Sequence, residues 1–139
     1  MTTATPIDQL PLVTALPAEH LFDMHVDLLP AQSIPTPLGV RLTFITTGGV
    51  IDGQRLKGSV LPGGGDWLVV GNDGTGRVDV RATLCTHNGA LIPFGETYVR
   101  TTPRFETSDE RYAWLSEVVA VGYNILSPNH IDYRIYQVL

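Results

Sequence analysis

Glycine-rich turns alternate with short strand-like runs between Gly48 and Arg81, and this stretch restricts what the chain can fold into. Pro62 to Gly65 and Asn72 to Gly76 supply turns, because glycine accepts positive φ and proline cannot donate to a sheet ladder. The clearest strand runs from Arg77 to Thr86. One face of it carries polar residues and the other apolar ones: Arg77, Asp79, Arg81 and Thr83 against Val78, Val80, Ala82 and Leu84. The pattern predicts antiparallel strands joined by tight turns.

The rest of the chain continues this pattern. Residues 1–19 are predicted to be a loose N-terminal arm, and residues 20–139 a single β-barrel domain. Ala31 to Pro37 is predicted to be a loop, and Ser108-Asp109 to cap one short helix. Further strands are predicted at Leu21–Leu29, Gly39–Thr47, Gln54–Leu61, Asp66–Val70, Ala90–Thr101, Ser116–Ile125 and Ile131–Leu139. About nine short strands with little helix predict an all-β antiparallel barrel or sandwich.

Composition excludes several function classes. The formal net charge is -5 and the nine basic residues are scattered, whereas a nucleic-acid groove needs a concentrated positive face. Cys85 is the only cysteine, so no internal disulfide is expected. Neither a phosphate loop nor a dinucleotide fingerprint occurs, and we expect no cofactor. No charged leader precedes an apolar run, and no run approaches the ~20 residues of a membrane span, so a cytoplasmic protein without a membrane partner is expected.

Four segments, taken in order, resemble a known family. They are GGVIDGQRLKGSVLPGGGDW from Gly48, DVR from Asp79, RTTPRFET from Arg100 and RYAWL from Arg111. In this order they are similar to the bacterial and fungal family called domain of unknown function 3237. The resemblance implies a lipocalin-like antiparallel β-barrel with an internal pocket, and it implies no agreed activity.

The Asp79 and Arg81 side chains are two residues apart and share a strand face. One interpretation is a cross-strand ion pair on the solvated outside. The other places both in the barrel lumen, where a partly buried carboxylate acts as a base and a guanidinium holds an oxyanion. The family resemblance favours the lumen.

Other polar and aromatic residues are candidates for binding a substrate. Asp66 and Trp67 follow three glycines, and they either start a strand with a core tryptophan or stand at the barrel mouth. Tyr98 and Tyr133 lie within strands and are the phenols most expected to enter a pocket. Arg104 follows a proline, and it either binds substrate or pairs with a nearby acid.

Asp23, His25 and Asp27 alternate on one strand face and have the residue types of a metal site. A complete site needs more ligands and supporting contacts, so a solvated strand face is the preferred interpretation and no metal is expected. His25 remains a candidate acid or base because its ordinary pKa lies near neutrality.

These residues suggest a cofactor-independent enzyme that uses acid/base chemistry on a carbonyl- or hydroxyl-bearing ring compound, as an isomerase, cyclase or lyase. Asp79 or His25 would move the proton, and Arg81 would stabilise negative charge. The aromatic and arginine content suits a phenolic, quinoid or polyketide-like substrate. The alternative is a barrel that binds a small ligand without turnover. Leu68–Val70 and Val118–Val121 are apolar on both faces, which predicts a homodimer.

Overall fold

A computed structural model describes residues 6–97 and 101–139. Eleven strands and two 3₁₀ helices lie in these ranges. The strands are β1 (Ala18–Leu28), β2 (Gln32–Thr36), β3 (Gly39–Asp52), β4 (Gly58–Val60), β5 (Gly65–Val70), β6 (Gly76–Arg77), β7 (Val80–Thr86), β8 (Leu91–Glu96), β9 (Arg104–Phe105), β10 (Ala120–Ser127) and β11 (His130–Val138). The helices are Ile7–Gln9 and Glu110–Glu117.

The strands form one antiparallel sheet that curves into a barrel. Along the sheet the order is β10-β11-β1-β3-β4-β7-β5-β6, with β8 paired to β7 and β9 and with β2 paired to β3. The N–H of Gly122 in β10 donates to the carbonyl of Thr101 at 2.9 Å, and the amide of Asn124 donates to the Thr101 hydroxyl at 2.6 Å. These bonds join β10 to the chain that follows β8, so the two sides of the sheet meet. The predicted all-β antiparallel barrel is confirmed.

Local differences from the predicted elements have simple causes. The predicted loop at Ala31–Pro37 contains β2, which pairs with β3. Pro35 is tolerated in β2 because, in a strand that pairs on one side, the N–H groups on the other side do not bond to a neighbouring strand. The predicted strand Gln54–Leu61 is reduced to Gly58–Val60. The short helix is present, and the Asp109 side chain caps it by accepting the backbone N–H of Arg111 at 2.9 Å.

The apolar core fills one end of the barrel. Phe22, Leu84, Ile92 and Ile135 are fully buried there. Phe22 meets the ring of Phe105 edge-on, with ring centroids 5.9 Å apart. Alternation along each strand directs these side chains inward, and burying each one stabilises the fold by about 1.5–3 kcal/mol.

The second 3₁₀ helix covers this end. Its Tyr112 and Leu115 are buried, and the Tyr112 hydroxyl donates to the side-chain oxygen of Asn88 at 2.7 Å. The guanidinium of Arg55 lies 3.6 Å from the ring centroid of Trp114 on the same helix. Because the helix and the core close this end of the barrel, the open space inside the barrel lies toward its other end. Within the described ranges, no helix combines the length and apolar character needed to cross a membrane.

Candidate active site

A cavity of about 140 Å³ lies inside the barrel beyond the packed core. Most of its wall is apolar, because the inward positions of the surrounding strands are aliphatic or aromatic. Its lining comprises Met24, Val26, Leu28, Phe44, Thr46, Gly65, Asp66, Leu68, Val78, Val80, Ala82, Glu96, Asn124, Leu126, Ile131 and Tyr133. Three of these residues, Asp66, Glu96 and Tyr133, carry ionisable side chains.

Asp66 is the second residue of β5 and points into the cavity, whereas its neighbour Trp67 points out. The backbone N–H of Asp79 donates to Asp66 Oδ1 at 3.0 Å. Burial raises the pKa of Asp66 and the nearby charge of Asp79 adds to this, while the hydrogen bond from the Asp79 N–H opposes it. That hydrogen bond favours the ionised carboxylate.

Glu96 is the last residue of β8 and is 2% exposed. Ile92, Phe94 and Glu96 alternate with outward residues, so the glutamate continues an apolar inner row. Within the described residues, its Oε1 atom has no hydrogen-bonding partner. Burial raises the pKa of Glu96 to about 8, with a further contribution from the negative charge of Asp66. Glu96 is therefore protonated at neutral pH and can donate a proton.

Tyr133 in β11 contributes a phenol to the same cavity and is 7% exposed. Burial raises its pKa, and the charges of Glu96 and Asp66 raise it further. Its ring packs edge-on against Phe94, with centroids 6.4 Å apart, and this contact fixes the position of the phenol. Tyr133 thus remains neutral and offers an O–H donor to anything in the cavity.

The three ionisable side chains share one cavity. Burial raises the pKa of both carboxyl groups, and the negative charge of Asp66 adds to the rise at Glu96. Burial is the main cause of both rises; the N–H that Asp66 accepts opposes its rise, whereas Oε1 of Glu96 accepts no such bond within the described residues. A pair of carboxyl groups in unlike environments can supply one proton donor and one proton acceptor. No lysine, arginine or histidine is among the lining residues of the described chain.

The pair Asp79 and Arg81 lies outside this cavity. The guanidinium of Arg81 binds the Asp79 carboxylate at 3.2 Å, and their side chains are 73% and 40% exposed. The lumen position expected for the pair is therefore wrong, because Val80 and Ala82 of the alternate face fill the interior. The Trp67 ring is also outside, with the Arg81 guanidinium carbon 5.6 Å from its centroid.

Arg104 lines one open groove together with Asp79 and Arg81, and the other predicted site residues lie elsewhere. His25 is on the outer face of β1 and bonds Asp132 at 2.6 Å and Asp27 at 3.0 Å. Arg104 is exposed and donates to the Thr97 hydroxyl at 2.8 Å. Tyr98 lies outside the described residues.

The histidine and acidic residues on the outside pair with other side chains. Asp132 raises the pKa of His25, burial opposes this, and Asp27 adds to the rise. Asp23 pairs with Arg134 at 2.8 Å. In the part of the chain that the structure describes, no group of three or more histidine, cysteine or acidic residues is arranged to hold a metal ion.

Asp66 and Tyr133 are thus the predicted residues that the fold brings together in the cavity, whereas Asp79, Arg81 and Arg104 meet in the open groove. Sequence reasoning missed Glu96, Asn124 and Thr46. The signal for Glu96 was present in the alternation of Ile92, Phe94 and Glu96, which places a carboxyl group on an otherwise apolar face. Asn124 and Thr46 carry no comparable signal, because a neutral polar residue is common on either face of a strand.

Comparisons with known proteins agree with this architecture. The chain is 38% identical over 122 residues to a Penicillium herquei protein named hydroalkoxylation enzyme phnH, covering 83% of this chain and 80% of that protein. It is 28% identical over 137 residues to a UPF0311 protein of Rhodopseudomonas palustris, covering 81% and 88%. The crystal structure of a β-barrel-like protein from Acinetobacter baumannii superposes with a TM-score of 0.81 at 29% identity, covering 92% and 99%. The family model described as "Protein of unknown function (DUF3237)" matches residues 17–97 and 93–138, so this chain belongs to the DUF3237 family.

Proposed function

We propose that the protein is an enzyme that adds the O–H bond of a hydroxyl group across a carbon–carbon double bond in the same small molecule. The addition closes an oxygen-containing ring. The observation that carries this proposal is the pair of carboxyl groups in one apolar cavity, with the pKa of Glu96 raised by burial to about 8 and with Asp66 accepting a backbone N–H. The relative named a hydroalkoxylation enzyme supports the reaction class. The two carboxyl groups supply the one acid and one base that this addition needs.

The chemistry balances within the site. The Asp66 carboxylate takes the proton of the substrate hydroxyl as the oxygen forms a bond to one alkene carbon. The other alkene carbon uses the electron pair of the double bond to take a proton from the Glu96 carboxyl group. The product has gained a C–O and a C–H bond and has lost the O–H and the C=C bond, so no redox partner or water is consumed.

The two carboxyl groups then have to return to their starting state. After one turnover Asp66 holds a proton and Glu96 is ionised. Burial makes the Glu96 carboxylate the stronger base, so the proton passes back from Asp66 to Glu96. Tyr133 donates a hydrogen bond within the cavity and orients the substrate oxygen. This assignment replaces Asp79, His25 and Arg81 as the acid/base set, because those residues lie outside the cavity.

Turnover of two hydroxyalkene probes tests the proposal. Ortho-allylphenol closes to a methyl-substituted dihydrobenzofuran, and 2′-hydroxychalcone, whose hydroxyl is ortho to the carbonyl group, closes to flavanone. In heavy water the enzyme should place one deuterium on the carbon that accepts the proton. Asp66→Asn and Glu96→Gln should each lower kcat/KM by about 100-fold or more.

Two further variants separate the competing explanations. Glu106→Gln changes an exposed glutamate and should retain the parent activity. Asp79→Asn should retain most of it, whereas a large loss there with little loss in Glu96→Gln would contradict the cavity assignment. Binding of the probes without any ring closure by the parent protein would instead favour the ligand-binding barrel.

A further inference from the structure

The ionisable groups of the cavity lie on its buried side, among apolar residues such as Met24 and Phe44, and its partly exposed wall is mostly apolar. Glu96 and Tyr133 are almost fully buried, and Asp66 is half-buried beside them. Toward the opening the wall is formed by partly exposed apolar side chains: Leu28, Leu68, Val78, Leu126 and Ile131. Leu126 is 50% exposed and marks the opening on β10. A molecule that fits this arrangement enters with its polar end first and leaves an apolar end at the rim.

The volume limits what can be enclosed. An apolar cavity of about 150 Å³ takes up a molecule the size of benzene. The cavity of about 140 Å³ is therefore matched to one six-membered ring. Any substituent on the side of the ring away from the polar groups has to extend past the rim, where the leucine side chains cover it.

The polar side chains of the cavity determine which functional group of a ligand can bind at its buried side. Asp66 accepts hydrogen bonds, whereas the neutral carboxyl group of Glu96 and the phenol of Tyr133 donate them. A hydroxyl both donates and accepts, so it satisfies both kinds of partner. An ammonium group cannot accept from Glu96 or Tyr133. A carboxylate cannot donate to Asp66, and it would lie beside a negative charge without a cationic residue in the lining.

We propose that the cavity takes an uncharged six-membered ring that carries a hydroxyl group, with the hydroxyl at Asp66, Glu96 and Tyr133 and an apolar substituent across the Leu126 rim. This rests on the proposed function in that it names the substrate class of the same site. It makes a separate claim about recognition, because it concerns binding in molecules that have no double bond to react.

Calorimetric titration with para-substituted phenols tests this assignment. Phenol, para-ethylphenol and para-butylphenol should bind in that order of increasing affinity. Each added methylene that stays in contact with the rim is worth about 0.8 kcal/mol, or about fourfold in Kd. At about pH 7, para-butylbenzoate and para-butylbenzylammonium should bind at least about tenfold more weakly than para-butylphenol.

Variants at the two ends of the cavity should act on different parts of the probe. Tyr133→Phe should raise the Kd of every phenol by a similar factor and leave the gain in affinity per methylene unchanged. Leu126→Ala should reduce the gain per methylene and leave the Kd of unsubstituted phenol within about twofold. Ile125→Ala is the matched control, since this neighbour on β10 is 72% exposed and is absent from the cavity lining.

The outcome is decisive in either direction. Equal or tighter binding of the benzoate or the benzylammonium overturns the proposal that the cavity binds an uncharged, hydroxyl-bearing ring. The absence of phenol binding overturns it as well. An unchanged alkyl gain in Leu126→Ala overturns the orientation. These probes cannot close a ring, so loss of the predicted binding pattern and loss of turnover with the hydroxyalkenes are separate results.

Discussion

Replacing Glu96 by glutamine should change how the stability of the protein depends on pH. The folded protein holds the Glu96 pKa at about 8, against 4.5 for the free side chain, because the group is buried. Below about pH 4.5 both the folded and unfolded states keep the proton. As the pH rises toward 8 the unfolded chain ionises while the folded chain does not, so the parent protein loses stability.

The size of this effect follows from the separation between the two pKa values. Each pH unit between them is worth about 1.4 kcal/mol, so the loss reaches on the order of 5 kcal/mol by pH 8 and then levels off. Glutamine cannot ionise, so Glu96→Gln should not show this loss. The free energy of unfolding of the variant minus that of the parent should rise by up to about 1.4 kcal/mol per pH unit between about pH 5 and pH 8.

Urea unfolding monitored by tryptophan fluorescence at several pH values measures this difference. Subtracting the parent from the variant cancels the titrating groups that do not interact with Glu96, including the outer-face histidines. Glu106→Gln is the matched control because it makes the same chemical change at an exposed position, and its difference from the parent should stay flat. Parallel stability curves for the parent and Glu96→Gln would refute the conclusion that folding keeps this carboxyl group neutral.

Three other predictions concern the scaffold. Phe22→Ala removes a fully buried ring and should lower the free energy of unfolding by about 3–5 kcal/mol, measured by urea unfolding; a loss below about 1 kcal/mol would contradict the core assignment. Asp132→Asn should lower the pKa of His25 in an NMR titration, since Asp132 is the main cause of its rise; an unchanged pKa would rule out that contact in solution. Asp109→Ala should cost about 1 kcal/mol because it removes the cap of the second 3₁₀ helix; full stability would show that the cap contributes nothing.

Much of the architecture follows from local pattern. Alternation correctly separates the inner and outer faces of β7, although the predicted strand from Arg77 to Thr86 is divided between β6 and β7. The expected turn joins β5 to β6, with Gly76 already the first residue of β6. The pattern does not say which face is inside. We expected the polar face of Asp79 and Arg81 to line the lumen, but the apolar face of Val80 and Ala82 does so.

β2 shows a second limit of local pattern. Two prolines near Ile34 predicted a loop, yet the segment pairs along β3 from Gln32 to Thr36. A strand that pairs on one side tolerates proline, and only the position of the segment in the sheet reveals that it has one neighbour. The predicted homodimer depends in the same way on what covers the outer strands, and it remains a prediction.

Residue order alone indicated an antiparallel barrel or sandwich, because period-two alternation and glycine turns leave few other ways to bury the apolar positions, and the family resemblance favoured the barrel. Residue order also placed Asp66 and Tyr133 among the candidate residues. The tertiary structure decided that Glu96, distant from both in sequence, joins them in a single cavity. A carboxyl group acquires its raised pKa from the side chains that surround it in space and exclude water, and residues far apart along the chain supply those surroundings.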